Sequence, residues 1–335
     1  MTKTKRTLPY SIKFVGGTII FVLAFIVSMI FGAANTSIND VWAALSSSTV
    51  SDQAMMIREI RLPREIAAML VGAALSVSGA IMQGLTRNPL ADPGLLGLTA
   101  GANVTLAISI ALLPFTNYFS IMIICMIGAA FGAFLVLGIS SIKKGGFSPF
   151  RIVLAGAAIS AFLTAIAEGI GLYFKISKEV SMWTAGGMIG TTWTQLQVIS
   201  PFIIIGIIIA LCLAKPLTIL SLNEELAVGL GQNIRRIKTI LFIVMVLLAG
   251  ASVALVGNLT FVGLMIPHIV RAIVGTDYRA IIPMSTVIGA AFMLMADTLG
   301  RTINAPYETP VAAIVSLIGL PFFLLLVRKG GRNFG

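Results

Sequence analysis

Apolar residues run along this chain in blocks about twenty residues long, separated by short polar and charged stretches. A helix needs roughly 20 apolar residues to cross the hydrocarbon layer of a bilayer. On that measure ten spans are expected, near 14–34, 62–84, 95–113, 119–141, 150–173, 195–213, 236–257, 262–275, 281–300 and 308–327. The eighth is short and holds Pro267 and His268, so a broken or tilted helix is expected there. The connections are short. This predicts a single all-α polytopic membrane domain over residues 1–335.

Composition agrees with the pattern. Of 335 residues, 58% are hydrophobic and 10% charged, against about 25% charged in soluble domains. A chain this apolar lacks the polar groups to cover its own surface. The net charge of +11 invites a nucleic-acid reading, but the basic residues sit in short clusters beside apolar blocks, where they act as topology determinants. The basic leader runs into an apolar block long for a signal-peptide core, and a retained first span is expected. Cys125 and Cys212 fall inside apolar runs and are read as small buried hydrophobes, neither disulfide nor metal site.

With the N-terminus inside, ten spans place both termini on one side. The inner segments then hold 17 of the 23 basic residues, among them Lys3, Lys5, Arg6, Lys143, Lys144, Arg235, Arg236, Lys238 and Arg332. The outer segments hold 6: Arg58, Arg61, Arg64, Lys175, Lys178 and Arg301. That asymmetry predicts cytoplasmic termini. It also isolates REIRLPRE (58–65), three arginines on the face that normally has few.

LVGAALSVSG (70–79) and LAGASVALVG (248–257) echo one another on spans of opposite direction. An inverted-topology repeat, with units 62–173 and 236–327, gives this pattern; so does small-residue helix packing. Both readings stand.

No catalytic constellation is present. His268 is the sole histidine, no paired-cysteine ligand set exists, and no G-x-x-x-x-G-K-S/T phosphate loop occurs. If ATP drives this protein, another subunit binds it. Two acids fall within spans, Glu168 and Asp297, and an ionisable group in a span is a functional hypothesis by default. Asp297 lies one turn before Arg301, so a local ion pair is the plain reading. Glu168 has no basic residue at helical spacing; a water-filled path and an interfacial position are both open. The stretch 215–238 is the longest inner connection. Asn223 suits a helix cap, Glu224 and Glu225 its first turn, and Gly229 or Gly231 its end. A short helix there is a docking element for a partner or an ordered loop without one.

Several segments together resemble the FecCD-type permease family, the membrane subunits of ABC importers for ferric siderophores, vitamin B12 and haem. They are RLPREIAAMLVGAALSVSGAIMQGLTRNPLADPGLLG (61–97), FVGLMIPHIVR (261–271), and DTLGR (297–301) followed by ETP (308–310). The likeness covers essentially the whole chain. It implies a type II ABC importer permease fold with an inverted repeat and a second permease subunit, identical or related. It also implies two cytoplasmic ATPase subunits that bind the ATP, no cofactor in this chain, and an extracytoplasmic substrate-binding protein.

The resemblance further implies that Arg61, Arg64 and Arg301 meet acidic residues of that binding protein; Arg58 is added by proximity. LNEELAVGLG implies an ATPase-coupling segment of Glu224, Glu225, Leu226, Ala227, Gly229, Leu230 and Gly231. Asn88 and Leu90 match a region that narrows the path. Glu168 departs from the family pattern and is placed on the path as a feature bearing on cargo. The expected function is a bacterial plasma-membrane permease for a ferric siderophore. Vitamin B12 or haem is the alternative within the family, and an ion-coupled secondary transporter using Glu168 and Asp297 the alternative outside it.

Overall fold

The apolar blocks are helices throughout the described residues of the computed structural model, 8–32, 36–46, 51–113, 117–141, 149–184 and 187–330, and no strand forms among them. Lys3, Lys5, Arg6, Lys143, Lys144 and Arg332 of the charge count lie outside these residues. The first part of the chain forms α1 (Tyr10–Ile30), α2 (Ile38–Ser46), α3 (Asp52–Met56), α4 (Leu62–Thr86), α5 (Leu98–Leu112), α6 (Tyr118–Ser141) and α7 (Pro149–Tyr173). Then come α8 (Ser177–Thr184), α9 (Trp193–Cys212), α10 (Ala214–Leu222), α11 (Glu224–Gly229) and α12 (Ile234–Val256), followed by α13 (Val262–Val274), α14 (Tyr278–Thr302) and α15 (Val311–Gly330). Among the described residues eight helical segments are long and apolar enough to cross a membrane, and α5 and α13 are shorter apolar helices. Together they are the ten blocks expected.

The second span departs from expectation. It was placed at 62–84, yet the helical path runs from Asp52 to Thr86, with a π-helical turn at Ile57–Arg61 between α3 and α4. Pro63 in the first turn of α4 has no N–H to give the carbonyl of Glu59. A wider turn before it accommodates that gap. REIRLPRE is therefore helical, with Arg58 and Arg61 in the π turn and Arg64 on the first turn of α4.

Helix α4 is the spine. In its most apolar window 83% of residues are buried, and α12, α13 and α14 pack around it. Glycines let the backbones touch: a Cβ on Gly72 would strike the carbonyl of Gly289 on α14, and one on Gly79 the backbone of Gly263 on α13. Close approach through small residues is how membrane helices gain packing when lipid is as apolar as the side chains. By contrast the windows of α7 and α15 are only 28% and 22% buried. Their apolar side chains, such as Phe162 and Leu324, face outward from this chain.

Helices α5 and α13 have 15 and 13 residues, about 20 Å of rise, short of the ~30 Å hydrocarbon layer. Each follows an irregular stretch, 87–97 before α5 and 257–261 before α13. Non-helical backbone at membrane depth persists where protein buries it or a cavity borders it. The eighth span is thus a short continuous helix that includes Pro267 and His268, with the irregular backbone ahead of it rather than at the proline. His268 lies edge-on to Phe322, with ring centroids 5.9 Å apart. Cys125 is buried as expected; Cys212, at the end of α9, is exposed, contrary to expectation, because the apolar run containing it faces outward there.

Candidate functional site

The two irregular stretches meet. Arg87 ends α4 in the left-handed conformation, and the Asn88 side chain accepts the N–H of Leu90 at 3.0 Å to form the turn that follows. Asp92 caps the single 3₁₀ turn Pro93–Leu96 by accepting from Gly94 N at 2.7 Å, and its carboxylate also takes a backbone hydrogen bond from Leu264 in the first turn of α13. A carboxylate at a helix N-terminus satisfies an orphan donor and suits the dipole. One acid therefore ties the loop before α5 to the start of α13. Gln83 adds a second tie, donating to Leu264 O at 3.1 Å and accepting from Arg271 at 3.2 Å.

Beside this junction lies a cavity of about 600 Å³. The 87–97 stretch contributes Asn88, Leu90 and Asp92 to its wall. Thr99 and Asn103 line it from α5, four residues apart, and Ser160 and Thr164 line it from α7 at the same spacing. That i, i+4 spacing stacks side chains on one helix face. Asn258, Thr260 and Phe261 close it from the 257–261 stretch, with Phe323 on α15. The Asn103 and Asn258 amides take no hydrogen-bond partner among the described residues. No lysine or arginine among the described residues lines the wall. Two residues singled out from the sequence, Asn88 and Leu90, stand in this wall. Glu168 does not; it is exposed, one turn beyond Thr164 on the same helix. Asp92, Asn103, Asn258, Ser160 and Thr164 were not singled out, though a polar residue recurring every fourth position in an apolar block was a readable signal.

At the end that the charge count assigns to the outside, the arginines are internal. Arg61 is 6% exposed and donates to Met29 O at 2.6 Å and to Thr36 Oγ1, holding the end of α1. Arg64 grips Asp297 with two nitrogens at 2.9 Å and Glu308 at 2.8 Å. Arg301 pairs with Glu65 and, at 3.0 Å, with Asp297. The Asp297–Arg301 pair expected from spacing forms, and Asp297 is shared with Arg64 from 233 residues away. Three arginines thus face three carboxylates. Each of Arg61, Arg64 and Arg301 spends its guanidinium on this chain, because bringing α1, α4 and α14 together at that end buries their charges and demands partners. Arg58 donates to Ala44 O at 2.6 Å, and its own carbonyl accepts from Trp193 Nε1.

At the opposite end, Asn223 caps α11 as expected, accepting from Glu225 N at 2.8 Å, and Gly231 takes a positive φ just past the helix. The connection is more helical than expected, since α10 occupies Ala214–Leu222 ahead of it. Glu224 anchors the segment: it pairs with Arg87 at 2.5 Å and Lys238 at 2.8 Å, joining α11 to the end of α4 and the start of α12. Those partners hold the Glu224 carboxyl below its ordinary range, the Lys238 hydrogen bond foremost. Ala227 is buried against the bundle, whereas Leu226, Val228 and Leu230 are exposed, together with Leu222. Glu225, Gly229 and Gly231 are exposed as well.

The sequence profile of the FecCD transport family matches residues 20–329. The chain belongs to the FecCD transport family. The iron(3+)-hydroxamate import system permease protein FhuB of Bacillus subtilis (strain 168) is 41% identical over 333 residues, covering 98% of this chain and 86% of that protein. The hemin transport system permease protein HmuU of Yersinia pestis is 38% identical over 318 residues, covering 92% and 94%. A solved inward-facing structure of a metal-chelate-type ABC transporter superposes with a TM-score of 0.82 at 26% identity, over 95% of this chain and 99% of that one. This FecCD protein is accordingly a multi-pass transport permease of the bacterial ABC importer family. Its fold superposes on that of such a permease, and α5 and α13 are its shorter apolar helices.

Proposed function

We propose that this FecCD permease carries a ferric siderophore across the plasma membrane, received from an extracytoplasmic binding protein and driven by two cytoplasmic ATPase subunits that hold the ATP. The observation that carries the reading is the cavity: about 600 Å³, bordered by the unpartnered Asn103 and Asn258 amides and by hydroxyls, beside the irregular stretches that precede two short spans. Broken helices at the midplane are where transporters place their cargo. A wall of scattered neutral groups holds a bulky chelate weakly, as a passage must. The poorly buried faces of α7 and α15 fit a second permease subunit that completes the path.

The exposed apolar side chains Leu222, Leu226, Val228 and Leu230 on and beside α11 support the ATPase-docking role, with Glu224 fixing the segment to α4 and α12. Docking of a binding protein at the arginine end proceeds on a charge-balanced surface. Arg64 is its reachable element, since its partner Glu308 remains 27% exposed and is exchangeable for an incoming carboxylate. The ion-coupled reading loses one of its two carriers, because Asp297 is locked between Arg64 and Arg301.

Uptake in a strain lacking the chain, with and without its restoration, tests the reading. The panel is iron on hydroxamate and catecholate siderophores, haem and vitamin B12. Restored uptake of an iron siderophore is expected. Restoration of haem or vitamin B12 alone would overturn the cargo, and restoration of none would overturn import of iron chelates altogether.

A further inference from the structure

Between Ile152 and Leu172, helix α7 carries three polar side chains: Ser160, Thr164 and Glu168. They stand at i, i+4 and i+8, one rung per turn on a single face. The first two rungs line the cavity. Glu168 is the third, exposed, and its side chain has no hydrogen bond or ion pair among the described residues. A carboxylate within a span is costly against lipid and is placed toward water or the interior of an assembly. Its alignment with two wall residues fixes which way it faces: along the cavity face, where the path continues from Thr164. Among the described residues the wall holds no lysine or arginine, and its one ionisable side chain is another acid, Asp92. The nearest basic residues farther along the chain, Lys175 and Lys178, are exposed beyond the end of α7.

We propose that Glu168 is a specificity-determining residue, a fixed negative charge on the path that favours neutral or cationic ferric chelates over anionic ones. The proposal rests on the ferric-chelate reading for its cargo and on the α7 stripe for its geometry. Iron chemistry supplies the contrast. Three singly charged hydroxamates neutralise a ferric ion, whereas three doubly charged catecholates leave the complex triply negative. A unit charge one helical turn from the path, at the effective dielectric of a protein boundary, shifts passage of like charge by about tenfold or more. Where a second copy of this chain completes the path, two such carboxylates act together.

Two measurements test this on the assembled transporter in membranes. In the first, uptake of a ferric trihydroxamate and a ferric triscatecholate is compared in wild type, Glu168→Gln and Glu168→Lys. The expected result is a rise of about tenfold in the triscatecholate share for Glu168→Gln and a larger rise for Glu168→Lys. An unchanged ratio at equal protein level overturns the proposal. The second needs no cargo. With Cys125→Ala and Cys212→Ser as background, Thr164→Cys is labelled with cationic and anionic methanethiosulfonate reagents, with and without Glu168→Gln. The cationic reagent should react faster, and Glu168→Gln should erase that preference. Equal rates with Glu168 in place, or no labelling by either reagent, overturn the proposal. If the charge preference is present and neither chelate is transported, the ferric-chelate reading fails while the placement of Glu168 on an aqueous path stands.

Discussion

The seam between α4 and α14 and the outer faces of α7 and α15 are built from similarly apolar sequence and behave in opposite ways. In the seam, glycines at 72 and 289 bring backbones into contact, as those at 79 and 263 do where α13 joins α4, and Arg64, Asp297, Arg301 and Glu65 close one end. On α7 and α15 fewer than a third of the residues in the apolar window are buried. Two hydroxyls of α7, Ser160 and Thr164, border a cavity instead. Hydropathy says only that a segment tolerates hydrocarbon. Which segment forms a rigid frame and which stays loosely packed is decided by small residues and by charges that find partners.

The largest effect separating the two regions is expected at Gly79. Gly79→Leu drives a side chain into the backbone of Gly263, so no folded protein should accumulate in membranes, as judged by detergent-extracted monodisperse yield. Gly16→Leu on α1, where a Cβ meets nothing within 4 Å, should leave yield unchanged. Next is Asp297→Ala, which removes the carboxylate that Arg64 and Arg301 share and leaves them only Glu308 and Glu65. Breaking a buried charge network costs about 3–5 kcal/mol, so Tm in a thermal-shift assay should fall by many degrees. A Tm within a degree of wild type would show that the network does not hold the frame.

The third prediction reverses the balance. Thr164→Trp projects into the cavity from the loosely packed helix. Uptake should drop more than tenfold while Tm stays within the scatter of ordinary surface substitutions, about 0.5 kcal/mol. Equal uptake at equal protein level would remove the cavity from the path.

The smallest effect is at Glu224. Its partners are 28–40% exposed, and such pairs contribute ~0.2–1 kcal/mol. Because the folded carboxyl is held below its ordinary range, the contribution is present above the unfolded Glu value near ~4.3 and declines as pH falls through the folded one. The Tm gap between wild type and Glu224→Gln should therefore close on acidification from neutral to below pH ~4. A gap that widens would contradict this linkage.

The helices were legible in the sequence because apolar blocks of membrane length have few other solutions. So was the Asn223 cap, a local signal. The short eighth span was legible in length and misplaced in cause: the interruption is 257–261, ahead of Pro267, because a proline within a short helix leaves the first turns intact and the loop returning from α12 does not. The arginines show the opposite limit. Arg64 and Asp297 are 233 positions apart, and no spacing rule reaches that far; in sequence Arg61 and Arg64 are cations without a local partner, and in three dimensions they join Arg301 as half of a balanced cluster. Asp92 was hidden for the same reason, since its partner Leu264 belongs to a different half of the chain.

The most direct measurement uses proteoliposomes that hold the permease pair with its ATPase subunits, ATP on the ATPase side, and the binding protein loaded with ferric siderophore outside. Uptake is followed with and without a protonophore, and with an ATPase variant unable to hydrolyse ATP. The expected result is uptake that survives the protonophore and disappears with the inactive ATPase. Uptake that collapses with the protonophore and persists with the inactive ATPase would contradict an ATP-driven permease and return Glu168 to the role of a proton carrier.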